Sequence, residues 1–452
     1  MNLIQKKLRY YYWLIISFIS KNWVSLVIST VLSFFAISFF INSYPSLNSL
    51  LLKKKITVGI IGKYSLQNIP LEISSLMSSP LVSYNEKGDL TPILANSWEL
   101  YNDNKTYRFH IKTNLYWDNG KRFTAKDLNY NFEGIQTKVI DDNTIDFYLN
   151  QPLSIFPAYL TKPVIKYPLI GIGGLYQVQN FNLKSKYYVT EINLYPNKKD
   201  LAYKTFKFYD NENDLIVAFK KGEITEFQTI KKNLADKFKD WKNVTYQKQT
   251  DFSQIMTLFI NTQSNILNSK DLRKSLSYSV PDFSDLGVKA NGPISPLSWA
   301  YDENLKTYQF DKDKARKIIT DEISATQSAE INFYTFFDYI GVAERLKLEL
   351  QDVGFKVNLH ILSYIPADFD ILLTLWNPPV DPDQYYFWHS TQTNQNITNL
   401  KNVKIDKLLE DGRKVTNVTE RKQIYTDLQK VIIDEVPAIF LYYPSSYTIS
   451  RK

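Results

Sequence analysis

The sequence predicts a mixed α/β architecture behind an apolar N-terminal helix, and three observations carry that prediction. Strand-length runs that alternate apolar with polar residues interleave with segments of helical period. At 452 residues the chain is long enough for two or three packed units. From Trp23 to Ile41 (WVSLVISTVLSFFAISFFI) nineteen residues carry no charge, and at a 1.5 Å rise they span roughly 28 Å.

That run predicts a transmembrane helix, with its serines and threonine bonding back to the helix's own carbonyls. Leu8 to Ser20 (LRYYYWLIISFIS) sets Tyr and Trp beside basic residues, as in a segment at the lipid interface, and is too short to span alone. The stretch NSYPSLNSLLLKKK offers no A-x-A-like cleavage site, which argues for an uncleaved anchor over a signal peptide. Four basic residues precede the run and three follow it, so charge hardly orients it; N-terminus inside is the reading taken. Leu47 to Leu52 and the three lysines then read as a stalk.

Lys55 to Gly62 (KITVGIIG) reads as a buried strand closed by glycine. Thr106 to Lys112 places Tyr107, Phe109 and Ile111 on one face and Arg108, His110 and Lys112 on the other. After a turn at Asp118-Asn119-Gly120, Thr124 and Asp127 have the spacing of a helix cap. Val139-Ile140 and Ile145 to Leu149 flank Asp141-Asp142-Asn143 as a hairpin. Tyr203 to Tyr209 is a strand, Asn213 to Lys221 a helix closed by Gly222, and Ile224 to Ile230 a strand. Ile340 to Val353 is a helix ended by Gly354, and Phe355, Val357, Leu359 and Ile361 alternate as a half-buried strand. Asn417 to Glu435 is a capped helix that buries Ile424, Leu428, Val431 and Ile432; Pro437 stops it, and Ala438 to Tyr443 is the last strand. There is no internal repeat or low-complexity tract.

An apolar share of 44% with 15% aromatics supports a sizeable core, while a mean hydropathy of −0.28 excludes a polytopic channel. The absence of cysteine excludes disulfides, thiolate metal sites, thiol catalysis and lipidation at an N-terminal Cys. The net charge of +8 sits in the N-terminal region, where eight basic residues precede the first acidic one, Glu72, and the rest of the chain is formally neutral. Only nine of the 54 basic residues are Arg, and they are not clustered, so nucleic-acid binding is excluded. His110 and His360 fall on polar strand faces, and neither they nor His389 have metal-ligand spacing. No HExxH, G-x-S-x-G, Walker loop or G-x-G-x-x-G occurs, and Gly171-Ile172-Gly173-Gly174 leads into a strand rather than a phosphate-binding helix. No catalytic residue, metal site or cofactor is expected; Asp141-Asp142 and Asp381 with Asp383 lie in turns, where the sequence does not separate a glycosidase pair from turn formers.

The order of motifs resembles a known family. Leu81-Val82-Ser83-Tyr84, Gly88 to Pro92 and Leu94-Ala95-Asn96-Ser97-Trp98-Glu99 are similar to the opening of the bacterial extracellular solute-binding proteins of family 5. These are the peptide, dipeptide and nickel type that feed ABC importers. Trp117-Asp118-Asn119-Gly120 and Phe123 to Glu133 are similar to the family's F-x-D-G-x-P-L-T-A-x-D-V-x-Y-S-F-E signature. Gly174-Leu175-Tyr176, Phe259 to Thr262, Leu272 to Leu276, Gly292 to Pro296, Trp299 to Asp302, Asp311 to Ala315, Gly354 to Val357 and Pro437 to Ile439 keep the family's order, from about Lys55 to Tyr447.

The resemblance implies an α/β, two-lobed periplasmic-binding-protein-like fold of type II, the peptide-binding class, with ligand in a cleft closed by a hinge. It assigns 1–54 to the N-terminal segment, transmembrane helix and stalk, and 55–80, 172–252 and 435–452 to lobe I. Residues 81–171 form a small domain packed on lobe I, and 253–434 form lobe II. The passages between lobes are expected near Gln249 to Gln254 and Asp434 to Pro437. The short chain between Glu133 and Val139 predicts a reduced small domain and a more open cleft.

By family position Trp376 matches the pocket tryptophan, a flat apolar wall for an extended ligand, with Asn377 beside it; a core tryptophan is the alternative. Pro379 stands where peptide-binding members carry the Asp that pairs with the ligand amine, and Asp381 is expected either to replace it or to form a turn. Tyr64, Leu66 and Gln67, together with Gln254, approach the cleft by position, and Tyr385 and Tyr386 line its mouth or fill the core. The expected protein is a single-pass anchored binder outside the membrane that takes an oligopeptide or similar solute and hands it to ABC transporter permease subunits. A ligand-free structural or sensory module on the same fold is the second reading, and an anchored hydrolase the third.

Overall fold

The computed structural model describes residues 3–51, 54–86, 88–128, 130–323, 328–366 and 369–452. It divides into two compact units: the N-terminal helix through Ile56 together with Asp200–Tyr203, and the rest of the chain. Leu3–Leu51 is one helix with a bend at Asn22 (φ −117°, ψ 18°), where Asn22 Nδ2 donates to Phe18 O at 3.1 Å. The kink falls between the expected interface segment, which ends at Ser20, and the expected span, which begins at Trp23. Thr30 Oγ1 bonds back to Leu26 O at 2.7 Å. The stretch long and apolar enough to cross a membrane is Arg9–Phe35, 27 residues, none of it buried. The expected stalk is helical as far as Leu51; Leu52 and Lys53 lie outside the described residues.

In the second unit a twelve-stranded sheet falls into two halves that share one strand, Ala438–Arg451. The upper part of that strand pairs with Ile255–Ile260 and Gly287–Lys289, its lower part with Val244–Thr250 and Glu226–Thr229. From Ile255–Ile260 the first half continues through Ile371–Trp376, Glu330–Phe336 and Lys356–Leu362. The second half continues through Lys55–Ile61, Tyr203–Tyr209, Tyr188–Pro196 and Tyr176–Lys184.

The first half reads as a buried sheet because Ile255–Ile260 (IMTLFI) is buried at all six positions, with an apolar cluster on each face. Glu330–Phe336 and Lys356–Leu362 run parallel, so a crossover must join them, and helix Ile340–Asp352 does so. Val342, Ala343, Leu346 and Leu350 are its buried stripe. Gly354, at φ +118°, turns the chain out of it. Lys356–Leu362 is an edge strand, which leaves the expected core residue Ile361 exposed.

Two passages link the halves. The first, 251–254 between strands Val244–Thr250 and Ile255–Ile260, lies where expected. The second does not lie at 434–437: helix Val418–Glu435 leads at once into the shared strand, and the hand-over falls at Pro444. Proline has no N–H to give a ladder, and here it stands opposite Gly287, with Ser445 already donating to Leu286 O and Thr250 facing Ser445.

A four-stranded antiparallel sheet, ordered Ala95–Tyr101, Thr106–Ile111, Thr144–Leu149 and Ile135–Asp141, builds the small domain. Tyr107, Phe109 and Ile111 point into its core with Trp117, Phe123, Phe147 and Phe156, as the alternation predicts. On the other face Arg108 stands directly opposite Asp146 and binds it bidentately at 2.7 and 2.8 Å. The helix expected after Thr124 is a single 3-10 turn, Ala125–Asp127, although its Thr124/Asp127 capping box is present; Asn129 lies outside the described residues. The small domain also touches the region of the first half-sheet, not only the second: Ser154 N donates to Arg413 O at 2.7 Å.

Candidate functional site

The strand Ile371–Trp376 runs antiparallel to Ile255–Ile260 with Ile255 opposite Trp376. That register sets Gln254 and Asn377 at the same end of the ladder, beside the first passage. Gln254 is half-buried and Asn377 exposed. Trp376 has only 6% of its surface exposed; Phe387, Phe440, Trp388 and Phe259 surround it at centroid distances of 5.3, 5.8, 5.9 and 6.2 Å. Its packing is that of a core aromatic, yet its indole N–H has no partner among the described residues.

Asp381, expected either to replace the missing amine anchor or to form a turn, pairs with Arg421. The guanidinium reaches Oδ1 at 3.0 Å and Oδ2 at 3.4 Å, and the Asp383 N–H adds a third bond at 3.0 Å. Both partners are buried. Burial pushes the Asp381 carboxyl up and the Arg421 charge pulls it back; the fork geometry is that of an ion pair. Two residues on, Asp383 accepts from Arg413 Nε at 2.9 Å. The Arg413 guanidinium lies 3.8 Å from the Tyr385 ring centroid, and Tyr385 stacks on His389 at 4.1 Å. Tyr385 is thus a strut of this network. Tyr84 of the small domain lies against it, its hydroxyl pushed up by burial and then by Asp381.

Sequence reasoning missed Arg413 and Arg421. A helical stripe at 421, 425, 428 and 432 carries Arg421 inward with Tyr425, Leu428 and Ile432; of the other expected core residues Val431 packs half-buried against the same cluster and Ile424 is half-buried. The Asp-Pro-Asp string was visible, but no local pattern links it to helices that begin twenty or more residues later.

Tyr64 and Gln67 belong to the other half-sheet. Tyr64 packs on Phe208 at 5.3 Å and lines a cavity of about 600 Å³ beside Val58, Ile60 and Phe206; Gln67 is exposed. Among the described residues one ion pair reaches from half to half. Lys231, after strand Glu226–Thr229, holds Glu212 at 2.7 Å and also Asp338, after strand Glu330–Phe336, at 2.8 Å. Among the described residues no group of three His, Asp or Glu is arranged to hold a metal.

The profile described as "Bacterial extracellular solute-binding proteins, family 5 Middle" matches residues 89–398. The chain belongs to that family. Its members are solute-binding proteins, not enzymes. Among family 5 relatives, the probable D,D-dipeptide-binding periplasmic protein DdpA of Escherichia coli (strain K12) is 23% identical, over 80% of this chain and 82% of its own. The oligopeptide-binding protein AppA of Bacillus subtilis (strain 168) is 22% identical, over 87% and 86%. The fold is the type II periplasmic-binding-protein fold. The crystal structure of CtaP from Listeria monocytogenes superposes with a TM-score of 0.74 at 20% identity, over 88% of this chain and 94% of that one. That of Bacillus subtilis AppA in complex with a nonapeptide gives 0.69 at 19% identity, with the same coverages.

Proposed function

We propose that this chain is a membrane-anchored extracellular solute-binding protein that closes two lobes on an oligopeptide-like ligand and delivers it to the permease of an ABC importer. The observation that carries the reading is the pair of half-sheets joined by only two passages among the described residues, with an ion pair, Lys231 to Asp338, bridging them. A jaw needs few, extended connections and contacts that exist only when closed. Peptide-binding relatives support the ligand class. Gln254, Trp376 and Asn377 are proposed as one wall, and Tyr64 and Gln67 as the other. Asp381 and Tyr385 act behind that wall, holding its loop through Arg421 and Arg413. The Arg9–Phe35 stretch replaces the lipid that a chain without cysteine lacks, and keeps the binder near its permease.

The test uses the full chain in nanodiscs, screened by thermal melting against peptides of two to nine residues and against sugars. Peptides at a hundredfold excess over Kd are expected to add about 2.7 kcal/mol of apparent stability. A flat response to every peptide would leave the second reading, a ligand-free surface module, which the burial of Trp376 and the engagement of Asp381 favour. Intact mass of the membrane-extracted protein separates an uncleaved anchor from a signal peptide.

A further inference from the structure

The cavity beside Tyr64 is lined by three charged side chains, Glu72, Lys204 and Glu226. It lies over one face of the sheet formed by Lys55–Ile61, Tyr203–Tyr209 and Glu226–Thr229, against helix Leu71–Met77. A Cβ on Gly59 would meet Leu215 and Ile224 of the helix-packed face, so Val58 and Ile60 point the opposite way, into the cavity. Val58, Ile60 and Phe206 make an apolar floor, and Glu72, Glu226, Lys204, Gln228 and Tyr64 bring polar atoms to it.

The charges do not cancel. Glu226 accepts one hydrogen bond, from Ser450 Oγ at 2.9 Å. Glu72 has no hydrogen bond or ion pair among the described residues. Lys204 forms no ion pair with either; its ammonium sits 5.7 Å from the Tyr176 ring centroid. Glu72 is exposed at the cavity rim; what burial it has pushes its carboxyl up, Lys204 pulls it back and Glu226 adds to the rise. Two carboxylates with no third His, Asp or Glu arranged to chelate suit an organic cation better than a metal ion.

Resting on the reading that this protein carries a peptide-like solute, we propose that this cavity takes a primary ammonium group of the ligand. Glu72 and Glu226 supply the carboxylates that the loop after Trp376, with Pro379 in place and Asp381 committed to Arg421, does not offer. The amine anchor has moved from one lobe to the other. The apolar floor receives the carbon chain beside the charge.

Isothermal titration of the full chain in nanodiscs tests this with pentaalanine, N-acetyl-pentaalanine and N-acetyl-Ala-Ala-Lys-Ala-Ala. At least one ammonium-bearing peptide is expected to bind about tenfold or more tighter than the peptide without one. Which of them gains distinguishes an α-amine from a lysine side chain. Glu72→Gln is expected to remove most of that preference. Lys204→Met, which deletes the opposing charge, is expected to tighten ammonium binding severalfold, an outcome that a folding defect would not produce. Peptides bound equally with and without an ammonium, or a preference unmoved by both variants, would overturn this assignment while leaving the transport reading intact. If none of these peptides nor any in the wider screen binds, both fall together.

Discussion

Removing Arg421 would leave the Asp381 carboxylate buried without a counter-ion. Arg421→Met is therefore expected to cost about 3–5 kcal/mol in denaturant unfolding, and an added Asp381→Leu to restore much of it, because two apolar side chains need no pairing. Equal losses in the single and double variants would show that the pair contributes nothing as a pair. Asp146 gives a second test at this scale. Hydrogen bonds from Arg108 hold its carboxyl below the ordinary 3.8. A carboxylate with a lowered folded pKa adds stability that is complete above the unfolded value and lost as pH falls through the folded one. Asp146→Asn should thus be less stable than the parent above pH 3.8, with the difference closing at lower pH. Acid titrations of the two melting temperatures that run parallel would refute this.

At the scale of elements, glycines mark where segments approach too closely for a side chain. A Cβ at Gly174 would lie 2.2 Å from Met77 O, so helix Leu71–Met77 and the strand entering at Tyr176 meet there only because position 174 lacks one. The glycine run that resembles a phosphate loop is a packing device. Gly341, in the first turn of helix Ile340–Asp352, has nothing within 4 Å of the same position. Gly174→Ala is expected to destabilise by several kcal/mol, and Gly341→Ala to stabilise by about 0.4–1 kcal/mol through the unfolded chain. Urea midpoints of the two variants moving in the same direction would contradict the account.

For the whole molecule the Lys231–Asp338 pair is the informative contact. In the proposed opening, Lys231 would keep Glu212 and lose only Asp338, so no charge would be stranded. Both side chains are partly exposed, and such a pair is worth about 0.2–1 kcal/mol. Asp338→Asn should accordingly raise the open-to-closed ratio between about 1.4- and 5-fold. The chain has no native cysteine, so one engineered on each lobe gives clean dye labelling for single-molecule FRET. An unchanged distance distribution would mean that the pair does not report on closure.

The sequence by itself determined the elements whose cause is local: the alternation of Thr106–Ile111, the Gly222 and Gly354 helix ends, the Asn417 cap, the uncharged N-terminal run and the colinear family strings. These follow from side-chain period, backbone freedom and hydration, each sensed within a few residues. The tertiary structure alone decided that Asp381 meets Arg421, that Trp376 is enclosed by four aromatics, and that Glu72 meets Glu226 over an apolar floor. It also carried the last strand past Tyr443, because Pro444 is tolerated where ladder partners change. Pairings across forty or more residues depend on how whole layers pack, and charge inside them is set by burial, which no stretch of sequence carries alone.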